Sequence, residues 1–170
     1  MKYLIGLFGV LFLLAGCATT PKDTSSVVTL QNKRVIDGTT THSFMFEKID
    51  GVTLKVGVFS TPSQAAHYIN PGNHLIETKV TYHSDKSEVV WASEFEFYST
   101  LVAGEVYSLD ASERNWCIKM KLINSNGQVI AGPLYSIMSP FLSLTHMKKS
   151  WVMSDVKNKI NNASCNPWQD

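Results

Sequence analysis

The chain lacks an apolar run long enough to span a bilayer. Its longest, Tyr3 to Leu14 interrupted by Gly6 and Gly9, falls short of the roughly 20 residues a spanning helix needs. Neither sign of charge dominates: 15 Lys and Arg face 14 Asp and Glu in 170 residues. The basic stripe of a nucleic-acid-binding domain is therefore missing, as is any long charged tail. No G-x-S-x-G, H-E-x-x-H, Walker or G-x-G-x-x-G pattern occurs, so the common signatures of hydrolases, zincins and nucleotide-binding enzymes are absent. Only three cysteines are present, none in a C-x-x-C, which excludes a thioredoxin-type motif. The histidines, His42, His67, His74, His83 and His146, show neither the i, i+4 nor the i, i+2 spacing that gathers zinc ligands. His74 and His83 fall at an odd separation on one predicted strand and so on opposite faces. No catalytic residue, metal ligand or cofactor is nominated, and a non-enzyme is expected.

The N-terminus is where the sequence is most specific. Lys2 supplies one positive charge, the apolar run follows, and the small residues Ala15 and Gly16 close it. That order is a charged n-region, an apolar h-region and a cleavage site. Leu14-Ala15-Gly16-Cys17 resembles the lipobox of bacterial lipoproteins. The resemblance implies that residues 1–16 are a signal peptide, that a diacylglyceryl group is placed on the Cys17 sulfur, and that Cys17 becomes the acylated first residue. Two acyl chains suffice for stable anchoring. The polar stretch 17–26 then reads as a flexible tether, and 27–170 as one domain. Removal of 1–16 leaves 154 residues with 14 basic and 14 acidic side chains. By the same analogy, Ala18 after the cysteine points to the outer membrane, facing the periplasm. With Cys17 committed to lipid, Cys117 and Cys165 are expected to pair in an oxidising compartment.

The body reads as strands. Val27 to Leu30 and Arg34 to Ile36 are short β-prone pieces, with a turn at Asp37-Gly38. Asp50-Gly51 signals a type I′ hairpin within 43–58, with Val52, Leu54, Val56 and Val58 forming a buried row after it. Before it, Phe44 and Phe46 compete with Met45 and Ile49 for the inner face. Thr61 to Ala66 is a loop or one helical turn, and Pro71-Gly72 predicts a type II turn. Ile76, Thr78, Val80 and Tyr82 share a face, as do Val89, Trp91, Ser93, Phe95 and Phe97; this pair of strands is expected to centre the core. Glu94 and Glu96 point the other way as solvated residues, since acids are rarely fully buried. Tyr107, Leu109 and Ala111, then Trp116, Ile118, Met120 and Leu122, make two further inner rows, with Cys117, Lys119 and Lys121 outward. Asn126-Gly127 is another hairpin signal, Gly132-Pro133 ends the last clear strand, and 134–147 is irregular but apolar. Ser150 caps an expected short helix over about 150–162, with Val152, Val156 and Ile160 on one face. A Cys117–Cys165 bond would then staple this tail to the outside of the sheet.

Closely spaced strands with turn signals between them predict a mainly β sandwich or barrel. Ile49-Asp50-Gly51, Asn70-Pro71-Gly72-Asn73-His74-Leu75-Ile76 and Ala103-Gly104-Glu105-Val106-Tyr107 look like a diffuse group of small bacterial lipoproteins with β-sandwich domains of unknown function. That resemblance, over roughly residues 45–110, implies a transthyretin-like or immunoglobulin-like antiparallel sandwich and brings no catalytic residues. The expected role is that of a membrane-anchored, non-catalytic envelope protein working through protein contacts, with an envelope protein as partner. The alternatives are a small-ligand or lipid-binding module with a pocket lined by Tyr68, Tyr135 and Phe141, and, third, a hydrolase. Oligomeric state is not legible in the sequence. Trp151 and Trp168 are left as covers for the core's open end or as a contact surface.

Overall fold

A computed structural model describes residues 23–55, 61–87, 89–114, 116–143 and 165, with the side chains of 141–143 outside the description. Among the described residues eleven strands form two sheets. The five-stranded sheet has the order β10-β9-β8-β1-β5, from β1 (Val28–Gln31), β5 (Ala66–Ile69), β8 (Val106–Arg114), β9 (Cys117–Asn124) and β10 (Val129–Ile137). The other sheet runs β11-β7-β6-β3-β2, from β2 (Lys33–Asp37), β3 (Thr40–Ile49), β6 (Gly72–Ser84), β7 (Val89–Leu101) and β11 (Ser139–Ser143), with the short β4 (Val52–Thr53) also on β3. Pairing is antiparallel except between β1 and β8, which are parallel. The fold is thus a β-sandwich. The expected C-terminal helix at 150–162, the expected signal segment 1–16 and residues 17–22 of the expected tether lie outside the described residues.

One core joins the sheets. Phe44, Phe46, Ile76, Val80, Trp91, Phe95 and Phe97 come from one side, and Val28, Leu30, Tyr107, Leu109, Ile118, Met120 and Leu122 from the other. The 13-residue strands β6 and β7 pair from Gly72↔Leu101 to His83↔Val90, and form the spine predicted from their alternation. The competition on β3 has a geometric answer. A register shift between Phe46 and Lys48 inserts one extra residue, so Phe44 and Phe46 face inward before it and Ile49 after it, while Met45 does not join the core. A bulge changes which residues share a face, and simple alternation cannot anticipate it.

Several expectations are corrected. The strand after Asp50-Gly51 stops at Thr53, and Val52 is exposed rather than buried; Val56 and Val58 lie outside the described residues. The turn itself has the positive φ at both residues, 51° and 77°, that type I′ requires. Gly132-Pro133 does not end a strand. β10 continues to Ile137 with shifted register around the pair, because β10 is an edge strand, where a residue without an N–H is tolerated. Nor is 134–143 irregular: the buried Met138 carries the chain across to β11, which pairs with β7 in the opposite sheet. Gly72 has φ 142° and already begins β6, instead of closing a type II turn.

Trp116 also departs from its predicted row. It precedes β9 with φ 69° and is partly exposed. Its ring packs on Trp91 at 4.9 Å, between the sheets at one end of the sandwich. Ile118, Met120 and Leu122 are buried as expected.

Candidate functional site

Three groups of polar side chains stand out. The first is the outer face of the six-stranded sheet. Lys79 sits on β6 with its Nζ 3.1 Å from Glu47 and 3.0 Å from Glu94, and Lys48 meets Glu77 at 2.5 Å. Burial works against the Lys79 charge, but its bonds to Glu94 and Glu47 outweigh it and hold the ammonium above its ordinary 10.5. The hydrogen bond to Glu77, with its charge, likewise raises Lys48. Alternate residues of β7 (Glu94, Glu96, Tyr98 and Thr100) form one exposed row. A groove of about 480 Å³ runs along this face, lined by Glu47, Lys48, Glu77, Glu94, Glu96 and, from β10, Tyr135. Glu94 and Glu96 are outward as predicted, and Glu94 is tied to Lys79.

The second group lies where the Asp50-Gly51 turn meets the start of β6. Asp50 Oδ1 accepts the Leu75 N–H at 2.9 Å, and Oδ2 lies 2.7 Å from His74 Nδ1. His74 Nε2 is 3.0 Å from the Asn70 carbonyl. The histidine therefore braces the Asp50-Gly51 turn against the start of β6. These bonds, led by the one to His74, hold the Asp50 carboxyl below its ordinary 3.8. A lowered carboxyl pKa stabilises the fold above the unfolded value and loses that contribution as pH falls through the folded one. The carboxyl's contribution to the brace is therefore lost as pH falls through its folded value, below 3.8. Beside it is a cleft of about 350 Å³, lined by Val27, Ile49, Val52, Leu54, Tyr68 and His74.

The third group escaped sequence reading. Asn32, in the break between β1 and β2, is buried. Its Nδ2 donates to Pro62 O at 2.6 Å, its Oδ1 accepts the Phe46 N–H at 2.8 Å, and Nδ2 lies 3.4 Å from Nε2 of the buried His67. It joins three chain segments far apart in sequence, so no local signal marks it. His67 Nε2 accepts from the amide only while the ring is neutral, and burial lowers its pKa below 6.5. The unfolded chain then binds the proton more readily, so stability is full above about 6.5 and falls as pH drops through the lower folded value. His67→Gln is expected to flatten that part of a stability–pH curve measured by urea unfolding. An unchanged slope would show that another group carries it.

The proposed three-residue pocket does not form. Tyr68 is on β5 and Tyr135 on β10, the opposite edges of one sheet, so they line different surfaces; the Phe141 side chain lies outside the described residues. The sulfurs of Cys117 and Cys165 are 2.01 Å apart with Cα atoms at 5.6 Å, which is disulfide geometry. Cys117 is buried, as is Lys119 of the same predicted outward row, so that row does not face solvent as expected. Cys17, His146, Trp151 and Trp168 lie outside the described residues. Among the described residues no group of three or more His, Cys, Asp or Glu side chains is placed to hold a metal. No helix among them is long and apolar enough to cross a membrane. No protein-family model, curated protein or solved structure matches the chain.

Proposed function

We propose that the protein is a lipid-anchored envelope component that acts by binding another protein, with the outer face of its six-stranded sheet as the contact surface. The supporting observation is the exposed row on β7, two carboxylates followed by a tyrosine, beside a groove framed by Lys48 and Glu77. Such a row offers an extended partner charge recognition at one end and aromatic area at the other. Tyrosine is favoured at contact surfaces for that combination of apolar ring and polar tip. The address rests on Leu14-Ala15-Gly16-Cys17: a thioether on Cys17 ties the body to the outer membrane, on the periplasmic side. No catalytic role is assigned.

Two measurements test this reading. Labelled palmitate should enter the wild-type chain and not a Cys17→Ser chain; equal labelling removes the anchor. A photo-reactive residue at Glu96, in intact cells, should capture an envelope protein that the same residue at Glu113 does not. Capture at neither position, or equally at both, removes the contact face. The apolar cleft beside Tyr68 favours a second reading as a small-ligand module. Native mass spectrometry of detergent-free protein should then show a bound mass, and a bare chain would end that reading.

A further inference from the structure

The exposed apolar side chains are gathered at one end of the sandwich. Among the described residues eight large ones are exposed: Ile36, Val52, Leu75, Tyr98, Val102, Val106, Trp116 and Val129. The register places six of them together. Gly72↔Leu101 and Ile49↔Ile76 align the ends of β3, β6 and β7. Tyr107↔Asn124, Thr29↔Val106 and Val28↔Ile69 align the matching ends of β8, β9, β1 and β5. Val52, Val102 and Val129 stand in or directly after three different turns at this end, and Val106, Leu75 and Tyr98 stand just behind. Ile36 and Trp116 lie at the other end, near the Asp37↔Thr40 and Arg114↔Cys117 pairs.

Charge is distributed the other way. The turns 50–52, 70–72, 102–105 and 124–128 contain two charged residues, Asp50 and Glu105, and no cation; Asp50 is engaged by His74. The opposite end carries Asp37, Asp85, Lys86, Glu113 and Arg114.

The chain also enters at the apolar end. Gly104 N donates to Val27 O at 2.8 Å, and a side chain on Gly104 would press on Ser25 O at 3.4 Å. The 102–105 turn is itself pinned, since Val102 N donates to the buried Tyr107 hydroxyl at 3.0 Å. Cys17 is ten residues before Val27, a reach of at most about 35 Å when fully extended. The lipid is thus attached on the side where the valines project.

We infer that this end is a membrane-docking surface: the body rests on the bilayer with Val52, Val102 and Val129 at the acyl–headgroup boundary. The occupant is a lipid surface rather than a protein because the patch is a set of separate turn tips around the point of attachment. The inference rests on the lipid-anchored reading. It predicts an apolar contact, so docking should persist in salt that screens exposed charges.

The test uses the full lipidated chain in phosphatidylethanolamine–phosphatidylglycerol vesicles with brominated acyl chains. Flotation is measured first. Bromine should then quench most of the emission added by a Val102→Trp substitution and leave that added by Ile36→Trp, with or without added salt. Hydrogen exchange on the unsubstituted protein gives a second readout, namely slowed exchange over 101–106 on vesicles and none over 84–87. Protein that floats but shows equal quenching at both positions, or none at 102, overturns the docking and leaves the anchor standing; the apolar end would then face a protein. Protein that fails to float refutes the anchor and the docking with it.

Discussion

Opening the Cys117–Cys165 bond is expected to lower stability by about 4 kcal/mol, the chain-entropy value for a loop of this size. The two residues are 48 apart, so the bond restrains a long stretch of the unfolded chain while Cys117 sits buried on the sheet. For a domain of this length, such a loss lowers the melting temperature by about 10 °C. A Cys117→Ala, Cys165→Ser double variant and the reduced wild type should shift alike in urea unfolding, and neither thiol of the oxidised protein should react with maleimide. If oxidised and reduced chains melt together, the bond does not restrain the fold. The expectation depends on the compartment: the bond persists in an oxidising envelope and would be lost in a reducing cytosol.

Gly132→Ala is expected to cost about 3 kcal/mol, from left-handed backbone strain of about 1–2 kcal/mol and overpacking of about 1–3 kcal/mol. Gly132 has φ 92°, and a Cβ there would lie 2.8 Å from Met120 O, 3.2 Å from Leu134 N and 3.3 Å from a Phe97 ring carbon. Two of these neighbours are backbone in paired strands, and Phe97 is buried among the core aromatics, so none yields easily. Gly127 is the control. Its φ is 77°, yet a Cβ added there meets nothing within 4 Å, so Gly127→Ala should cost only the backbone share, about 1 kcal/mol. Equal losses at the two positions would show that the close approach at Gly132 is unimportant. The same glycine shows how β10 passes close over β9 and Phe97 instead of leaving the sheet.

These two expectations bear on the functional proposals. β10 supplies Tyr135 to the groove on the outer sheet face, so a disturbed Gly132 should also impair partner capture at Glu96. The turns 50–52 and 102–105, proposed to dock on the bilayer, lie at the other end from the β8–β9 turn that precedes Cys117. Removing the disulfide should therefore leave vesicle docking intact at temperatures where the body stays folded. A disulfide variant that stays folded yet no longer docks would show that the turns alone do not hold the lipid.

Much of this protein was determined by the sequence alone. Period-two alternation at 76–82 and 89–97 set the long hairpin and its buried face, because a half-buried strand must separate its faces residue by residue. Asp50-Gly51 set a tight turn, since few residue pairs accept positive φ twice. Cys117 and Cys165 were the pair left over once Cys17 was assigned to lipid. Only tertiary structure decided the rest. Whether Gly132-Pro133 stops a strand depends on whether that strand is an edge, which is a property of the whole sheet. The bulge after Phe46 arises from matching β3 to β6, and one inserted residue reverses which side chains are inward. Asn32, in the break between β1 and β2, meets His67 on β5, 35 residues away, so neither carries a local mark. The gathering of Val52, Val102 and Val129 at one end follows from strand directions and lengths, which place residues far apart in sequence side by side.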